Sequence, residues 1–391
     1  MNNMKCKIQH ISEHSGRIIA VSDIHGYAHY LRGVLEKVRF SKEDALIIVG
    51  DMIEKGPESL ETVRYILKLR EENEKVYAVL GNVDYSRLCR FFDDSPEGDA
   101  AFLAELKWTR DKWGRGFFLD MLDELGIIPD NIREEEIADL KKQLRLHFAQ
   151  ELGLFASMVN DETNDSRICK WLLPTVLTIG NFMFVHGGIP TEDLTLLEKV
   201  DAVDCMKLDG FLNKAAAFTK TVVVGHWPVY HYRDEQDCLN PLFDYKKHVI
   251  AIDGGCALKY GCQLNALIIP NPDADMHEIT YTYFDDYPVL RAAKAQKAKP
   301  WTIRMRYFDC LVDILEEKDD LVKLRHISTG KEMKVPKSYL YFDYFGDGKV
   351  SCADCSDAYL EVEPGDTLAV VAKTSEGYVV KKEGVLGWYK I

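Results

Sequence analysis

The chain has 391 residues, 47% of them apolar and 29% charged, with a formal net charge of -14. That length holds one large domain and a smaller companion, or two to three domains, and the composition excludes a collagen-like, low-complexity or disordered chain. The acidic balance argues against nucleic acid or an anionic membrane as main partner, yet leaves a phosphate substrate open, since a metal site reverses the local field.

Ten cysteines are scattered without a dense disulfide framework, the lead-in MNNMKCKIQHISEHSG has no apolar signal core, and no run reaches membrane-spanning length. A cytoplasmic location is the expectation.

In chain order, RIIAVSD (17–23) predicts a buried strand and AHYLRGVLEKVRF (28–40) a helix with Leu31, Val34, Leu35 and Val38 on one face. ALIIVGD (45–51), SLETVRYILKLREE (59–72) and KVYAVLGN (75–82) continue as strand, helix and strand, the pattern of a parallel α/β sheet with right-handed crossovers. Residues 88–170 carry long amphipathic patterns without strands and predict a helical insertion, longer than an ordinary connection. It serves either as a lid or specificity element or as extra packing, and the aromatics Trp108, Trp113, Phe117 and Phe118 within it read as core. Strands resume in NFMFVHGG (181–188), TVVVGHWPV (221–229), HVIAIDGG (248–255), LNALIIP (264–270) and EITYTYF (278–284). The basic, Pro-bounded stretch 286–302 predicts a linker or exposed helix. Residues 303–391 predict a small all-β domain whose end, EPGDTLAVVAKTSEGYVVKKEGVLGWYKI, resembles an SH3-like barrel. The catalytic domain is accordingly expected over 1–290. The CADC sequence at Cys352 and Cys355 reads as two ordinary thiols, since no second pair lies nearby.

Five strands stop at a metal-capable side chain: Asp23 with His25, Asp51, Asn82, His186 and His226. Ligands of α/β sheets bind outside the carboxyl ends of strands, so these six are expected to meet. A carboxylate, imidazole and amide mixture suits Mn, Fe or Zn. Six donors exceed the needs of one open catalytic ion and fit two ions sharing a carboxylate, with Asp51 the natural bridge. Two such ions can hold a hydroxide nucleophile and clamp an in-line displacement at phosphorus. Asp253 also ends a strand and is expected to orient a ligand or a turn.

The set VSDIHG, VGDMIEKGPES, LGNVD, FVHGGIP and VVGHWPV, in that order across residues 17–285, resembles the motifs of the calcineurin-like metallophosphoesterase superfamily. The HGG form resembles its phosphoprotein-phosphatase branch, which includes Ser/Thr protein phosphatases and bacterial dinucleoside-tetraphosphate hydrolases. The resemblance implies a four-layer α/β/β/α sandwich. It implies that Asp23, His25 and Asp51 hold one ion and that Asp51, Asn82, His186 and His226 hold the other.

Two departures stand out. Where the family's third motif has the histidine that protonates the leaving oxygen, this chain has Val83, with the acidic partner Asp84 remaining. Where the second motif has arginine, this chain has Lys55, which meets phosphate as a point charge without a bidentate fork. Residues 189–225 contain no arginine, so Arg87 and Arg90 are the candidate substitutes, although a solvated surface charge is the ordinary reading of each.

The expected function is a dinuclear-metal phosphoester hydrolase acting on a phosphorylated small molecule or phosphoprotein, in the manner of a Ser/Thr phosphatase. Phosphodiesters or nucleotide anhydrides are the alternative that Val83 raises. A weakly active metal-binding scaffold, with the C-terminal domain contacting a protein partner, is the rival from another class.

Overall fold

The computed structural model describes residues 4–159, 168–343 and 348–390. Residues 160–167, inside the expected insertion, and Ile391, the end of the expected last strand, lie outside them. The chain divides into two compact units: Met1–Pro228 with Pro241–Cys256 and Leu264–Phe284, and Val229–Asn240 with Ala257–Gln263 and Asp285–Ile391.

In the first unit the apolar runs form β2 (Ile18–Val21), β3 (Ala45–Val49) and β4 (Val76–Val79) as expected, and the lead-in adds a strand that was not expected, β1 (Ile8–Ile11). Helices α1 (Ala28–Lys37) and α2 (Ser59–Glu72) connect β2 to β3 and β3 to β4. β2, β3 and β4 pair in parallel, as the strand–helix alternation requires. Leu264–Ile269 and then Thr280–Phe284 extend the sheet antiparallel on the far side of β2.

The helical insertion follows β4. It contains α3 (Asn82–Phe92), α4 (Pro96–Trp113) and α5 (Phe117–Glu124), then further helical turns to Gly153. Ser95 caps α4 by accepting the Gly98 N–H at 3.0 Å, Pro96 occupies its first turn, and Gly114 ends it with φ 67°, each residue type in its favoured place. Phe117 and Phe118 are buried, and Phe118 packs at 4.7 Å on Phe91 and 5.0 Å on Phe102. Trp108 differs from the expectation of a core aromatic, being 45% exposed. The insertion also ends in strands where none was expected: β5 (Ala156–Val159) pairs antiparallel with β6 (Ile168–Trp171).

The second sheet follows with β7 (Val176–Ile179), β8 (Phe182–Val185) and β9 (Thr221–Val224). Its order is β1, β7, β8, β9, Val249–Ala251, Leu242–Asp244. One apolar core joins the two mixed sheets, with Ile18, Ile47 and Val79 from one and Leu177, Phe184 and Val223 from the other. β8 and β9 run parallel, so His186 and His226 leave the same end of their sheet.

Among its described residues the second unit is all β apart from turns and two short 3-10 segments, Val229–Tyr232 and Lys337–Tyr339. Asp237–Cys238, Val385–Lys390, Gly377–Lys382, Thr367–Thr374 and Val289–Arg291 form a five-stranded antiparallel sheet. The stretch 286–302 is therefore neither linker nor helix. Val289–Arg291 pairs with Thr367–Ala369, and Gln296 and Lys299 bridge to Val362 and Tyr359. The half-buried Leu290 packs on a small core of Ala292, Leu360, Val362, Leu368, Val380 and Tyr389. Pro288 and Pro300 flank a segment that sits on the sheet edge, where missing N–H donors cost least. A separate core around Met305, Val322, Leu324 and Val335 includes Cys352 and Cys355, whose sulfurs lie 3.7 Å apart.

Asp237 in this unit is buried between two cations, 3.3 Å from Lys259 Nζ and 2.7 Å from Arg304. Removing one charge of a buried set leaves its partners uncompensated, so Asp237→Asn should destabilise the unit by about 3–5 kcal/mol. Burial alone would raise the Asp237 carboxyl, but Lys259 and Arg304 hold it below its usual range. Because the folded pKa is the lower one, the contribution is whole above the unfolded value of about 3.9. It is lost as pH falls through the folded pKa. Denaturant unfolding of both proteins should show a gap that is constant from neutral pH to about 5 and closes in stronger acid. A gap that persists there would exclude Asp237 as its source.

Among the described residues, no helix is long and apolar enough to cross a membrane.

Candidate active site

Each expected donor lies just past a strand, where the backbone reverses. Asp23 and His25 follow β2, Asp51 follows β3, Asn82 opens α3, and His186 and His226 follow β8 and β9. Asp23, His25, Asp51 and His226 have φ of 53°, 47°, 50° and 65°, and Glu54 and Lys55 have 73° and 70°. The left-handed region costs a residue with a Cβ about 1–2 kcal/mol and persists where the surroundings over-determine it. The segments also pass each other closely. A Cβ on Gly81 would lie 2.1 Å from the Asp51 amide nitrogen, and one on Gly225 would lie 2.3 Å from Asp23 Oδ2. Both positions demand glycine.

These turns bring all six side chains together. Ligand atoms of Asp23, His25 and Asp51 lie within 4.8 Å of one another, and all three residues are buried. His25 Nε2 is 3.9 Å from Asp23 Oδ1 and 3.6 Å from Asp51 Oδ2. On the other side of Asp51, Oδ1 is 3.4 Å from His186 Nε2, which is 3.0 Å from Asn82 Oδ1. The His186 and His226 rings stand 5.2 Å apart, and the His226 amide donates to Asp23 Oδ2 at 2.9 Å.

Backbone carbonyls orient two of the imidazoles. His186 Nδ1 lies 2.9 Å from Val49 O and His25 Nδ1 3.2 Å from Ile53 O. A proton held on each Nδ1 leaves Nε2 with its lone pair toward the centre, the arrangement that metal-ligating histidines need.

The charges answer one another. Burial, with repulsion from Asp51, pushes the Asp23 carboxyl up to about 6. Burial would raise Asp51 too, but His186, His25 and Lys55 hold it well below the carboxylate range. Burial would lower His186, yet the carboxylates of Asp51 and Asp23 lift it to about 10. Burial and the Lys55 ammonium lower His25 to about 3, and burial lowers His226 to about 4. A concentration of buried acids and imidazoles with opposed shifts marks a site built for a task beyond packing.

Lys55 stands at the rim, half-buried, its Nζ 3.0 Å from His25 Nε2. Asp84 is fully buried below it. Its Oδ1 accepts the amides of Met52 at 3.0 Å and Ile53 at 3.3 Å, and its Oδ2 accepts that of Gly81 at 3.3 Å. It thus fastens the loop carrying Asp51 to the start of α3. Val83 donates its amide to Asp51 Oδ1 at 2.9 Å. Arg87 points into the insertion, 3.6 Å from Glu54 and 2.6 Å from Glu105. Arg90 lies 3.1 Å from Glu105.

Three further acids belong to this neighbourhood. Asp253 is buried, accepts the Gly255 amide at 2.7 Å, and is raised by burial and by the charge of Asp23; its strand-end position was the legible signal. Glu54 is 2% exposed and sits beside Lys55, an adjacency that sequence reading passed over. Asp209 touches His226 Nε2 at 2.8 Å from a loop, and no sequence pattern marks it.

The sequence model of the calcineurin-like phosphoesterase family matches residues 16–254. The symmetrical bis(5'-nucleosyl)-tetraphosphatase of Pseudomonas syringae pv. syringae is 46% identical over 68 residues, 17% of this chain and 22% of that protein. The enzyme of that name from Buchnera aphidicola is 46% identical over 65 residues, 16% of this chain and 23% of that protein. The matches thus span less than a quarter of these relatives' length. Among solved structures, a putative diadenosine tetraphosphatase aligns with TM-score 0.40 and 20% identity, covering 71% of this chain and 98% of that one. A Saccharomyces cerevisiae protein serine/threonine phosphatase with similarity to human phosphatase PP5 aligns with TM-score 0.40 and 12% identity, covering 76% and 88%.

Proposed function

The chain belongs to the calcineurin-like phosphoesterase family, and from that premise we propose that it is a phosphoester hydrolase working with two metal ions. Asp23, His25 and Asp51 would hold one, and Asp51, Asn82, His186 and His226 the other. The observation that carries this reading is the division of Asp51, whose Oδ2 faces His25 at 3.6 Å and whose Oδ1 faces His186 at 3.4 Å. The buried oxygen and imidazole donors fit Mn, Fe or Zn. Bound there, such a pair supplies Lewis acidity and nucleophile activation for displacement at phosphorus.

The chain's own residues do the rest. Lys55 meets a non-bridging phosphoryl oxygen as a point charge. Asp84 acts through the backbone, holding the turn that presents Asp51. Val83 donates no proton from its side chain, so the leaving group departs as an anion. A phosphate leaving group, whose second pKa is about 6, tolerates that and a serine alkoxide does not. This favours phosphoanhydrides and activated esters, in keeping with the likeness to symmetrical bis(5'-nucleosyl)-tetraphosphatases. The HGG motif supports the second reading, a phosphomonoesterase of the Ser/Thr phosphatase kind.

The same reading extends to architecture. Two mixed sheets around one core support a four-layer sandwich. The five-stranded antiparallel sheet of the second unit supports an SH3-like fold able to contact a protein partner.

Para-nitrophenyl phosphate, its bis ester and a symmetrical dinucleoside tetraphosphate, each assayed with and without added manganese, test the proposal. Metal-dependent turnover is expected, fastest on the tetraphosphate. No turnover of any of the three would leave the scaffold reading standing.

A further inference from the structure

Lys55 does not stand on a regular element. It lies in the connection between β3 and α2 and, with Glu54, forms two consecutive left-handed residues, φ 73° and 70°. Such a pair persists only when other groups hold it. Inside the loop, the Glu54 N–H donates to Ser59 Oγ at 3.0 Å. The turn after β2 holds it too, with His25 Nδ1 3.2 Å from Ile53 O and the Gly26 N–H donating to Met52 O at 2.9 Å, and further grips come from the helical insertion.

Glu54 Oε1 accepts the Phe117 N–H at the start of α5, at 2.9 Å, and Oε2 lies 3.6 Å from Arg87 Nε on α3. Arg87 is itself fixed. Its Nη1 is 2.6 Å from Glu105 Oε1 on α4, and its guanidinium sits 5.3 Å from the centre of the Trp108 ring. The other oxygen of Glu105 is 3.1 Å from Arg90. On the far side of Lys55, Asp120 Oδ2 on α5 accepts the Leu60 N–H at 3.0 Å. The insertion therefore grips the chain both before and after Lys55, at Glu54 in the loop and at Leu60 in the first turn of α2.

A nearly buried ion pair is a poor way to gain net stability, because desolvation offsets most of the attraction. Apolar side chains would hold α3 against the loop as firmly. What the Glu54–Arg87 pair adds is an attraction specific to these two charged groups, at an ion-pair distance of 3.6 Å with no hydrogen bond between Oε2 and Nε.

We propose that Arg87 and Glu54 are positioning residues for Lys55, and that the helical insertion is the frame that sets the Lys55 ammonium where a phosphoryl group binds. The ligand's identity rests on the phosphoesterase reading above; the clamp does not.

The test is a double-mutant cycle on the manganese-loaded full chain: wild type, Arg87→Met, Lys55→Met and the double variant. KM and kcat are measured with para-nitrophenyl phosphate, and the Kd of inorganic phosphate by calorimetry. Arg87→Met is expected to raise KM and the phosphate Kd about tenfold with a smaller change in kcat. Because Arg87 acts through Lys55, the double variant should bind phosphate no more weakly than Lys55→Met alone. Glu54→Gln, which keeps an acceptor for the Phe117 amide, should reproduce the Arg87→Met effect in part, and Arg87→Lys should restore much of it. Additive losses would make Arg87 an independent contact and overturn the proposal. So would an unchanged Kd in Arg87→Met and Glu54→Gln, or the absence of phosphate binding by the wild type. If the wild type binds phosphate but hydrolyses no ester, the proposed activity fails while the binding cycle still decides the clamp.

Discussion

Asp51→Asn is expected to lower manganese-dependent ester hydrolysis by at least about 10²–10³-fold while leaving the chain folded. Asparagine matches the shape of aspartate and tolerates the left-handed φ of 50° at this position. The Val83 amide, 2.9 Å from Oδ1, keeps an acceptor. What disappears is the negative charge that faces His25 and His186 from its two oxygens. Two readouts besides activity follow. In the metal-free protein, the His186 imidazole, held at about 10 chiefly against burial by Asp51 and Asp23, should titrate at lower pH in the variant, visible by NMR. In the wild type at pH 8, metal binding must expel that proton, because a ligand imidazole is neutral. Calorimetry in buffers of different ionisation enthalpy should register the release and show less of it in the variant. Retained activity with unchanged metal affinity would remove Asp51 from the centre of the chemistry.

Val83→His should accelerate hydrolysis of alkyl phosphates and leave phosphoanhydrides and nitrophenyl esters nearly unchanged. General acid catalysis contributes about 10²–10⁴-fold where the leaving group needs a proton. The gain here should fall near the lower end, for a structural reason. An introduced imidazole would have no carboxylate to orient it. Asp84 already accepts the amides of Gly81, Met52 and Ile53. Glu54, whose carboxyl burial pushes up to about 7, is taken by Phe117 and Arg87. A series of esters with leaving groups of rising pKa checks this: the variant's advantage should grow along the series. An advantage equal for all of them would indicate a change in electrostatics without proton transfer, and no advantage would mean that another group already supplies the proton.

The strand-end donors were legible because each apolar run stops at a charged or amide residue, and a buried strand has no packing reason to do so. Asp23, Asp51 and Asn82 from one sheet and His186 and His226 from the other thus meet although 203 positions separate Asp23 from His226. Helices α1 and α2 were legible from their apolar faces and α4 could have been delimited by its caps. The residues that escaped are those whose role is set by a distant partner. Val289–Arg291 is too short and basic to announce a strand; only pairing with Thr367–Ala369 makes it one, an instance of tertiary context deciding β structure. The β5–β6 pair was hidden in the same way. Arg87 was noted only as a substitute cation after the third motif, and its neighbours Glu54 and Glu105 come from other elements, so its ion pairs could not be foreseen.

The left-handed backbone at Asp23, His25, Asp51 and His226 bears on whether this region exists to bind cations at all. A protein that used this region only as a support would be relieved by asparagine or glycine at each of these places, since glycine enters that conformation without penalty and relief of active-site strain commonly raises stability at the expense of function. Carrying four ionisable side chains there is a standing tax on folding. It makes sense as the counterpart of something gained when cations arrive, so the melting temperature of the native chain should climb with manganese more steeply than that of a variant bearing Asn at 23 and 51.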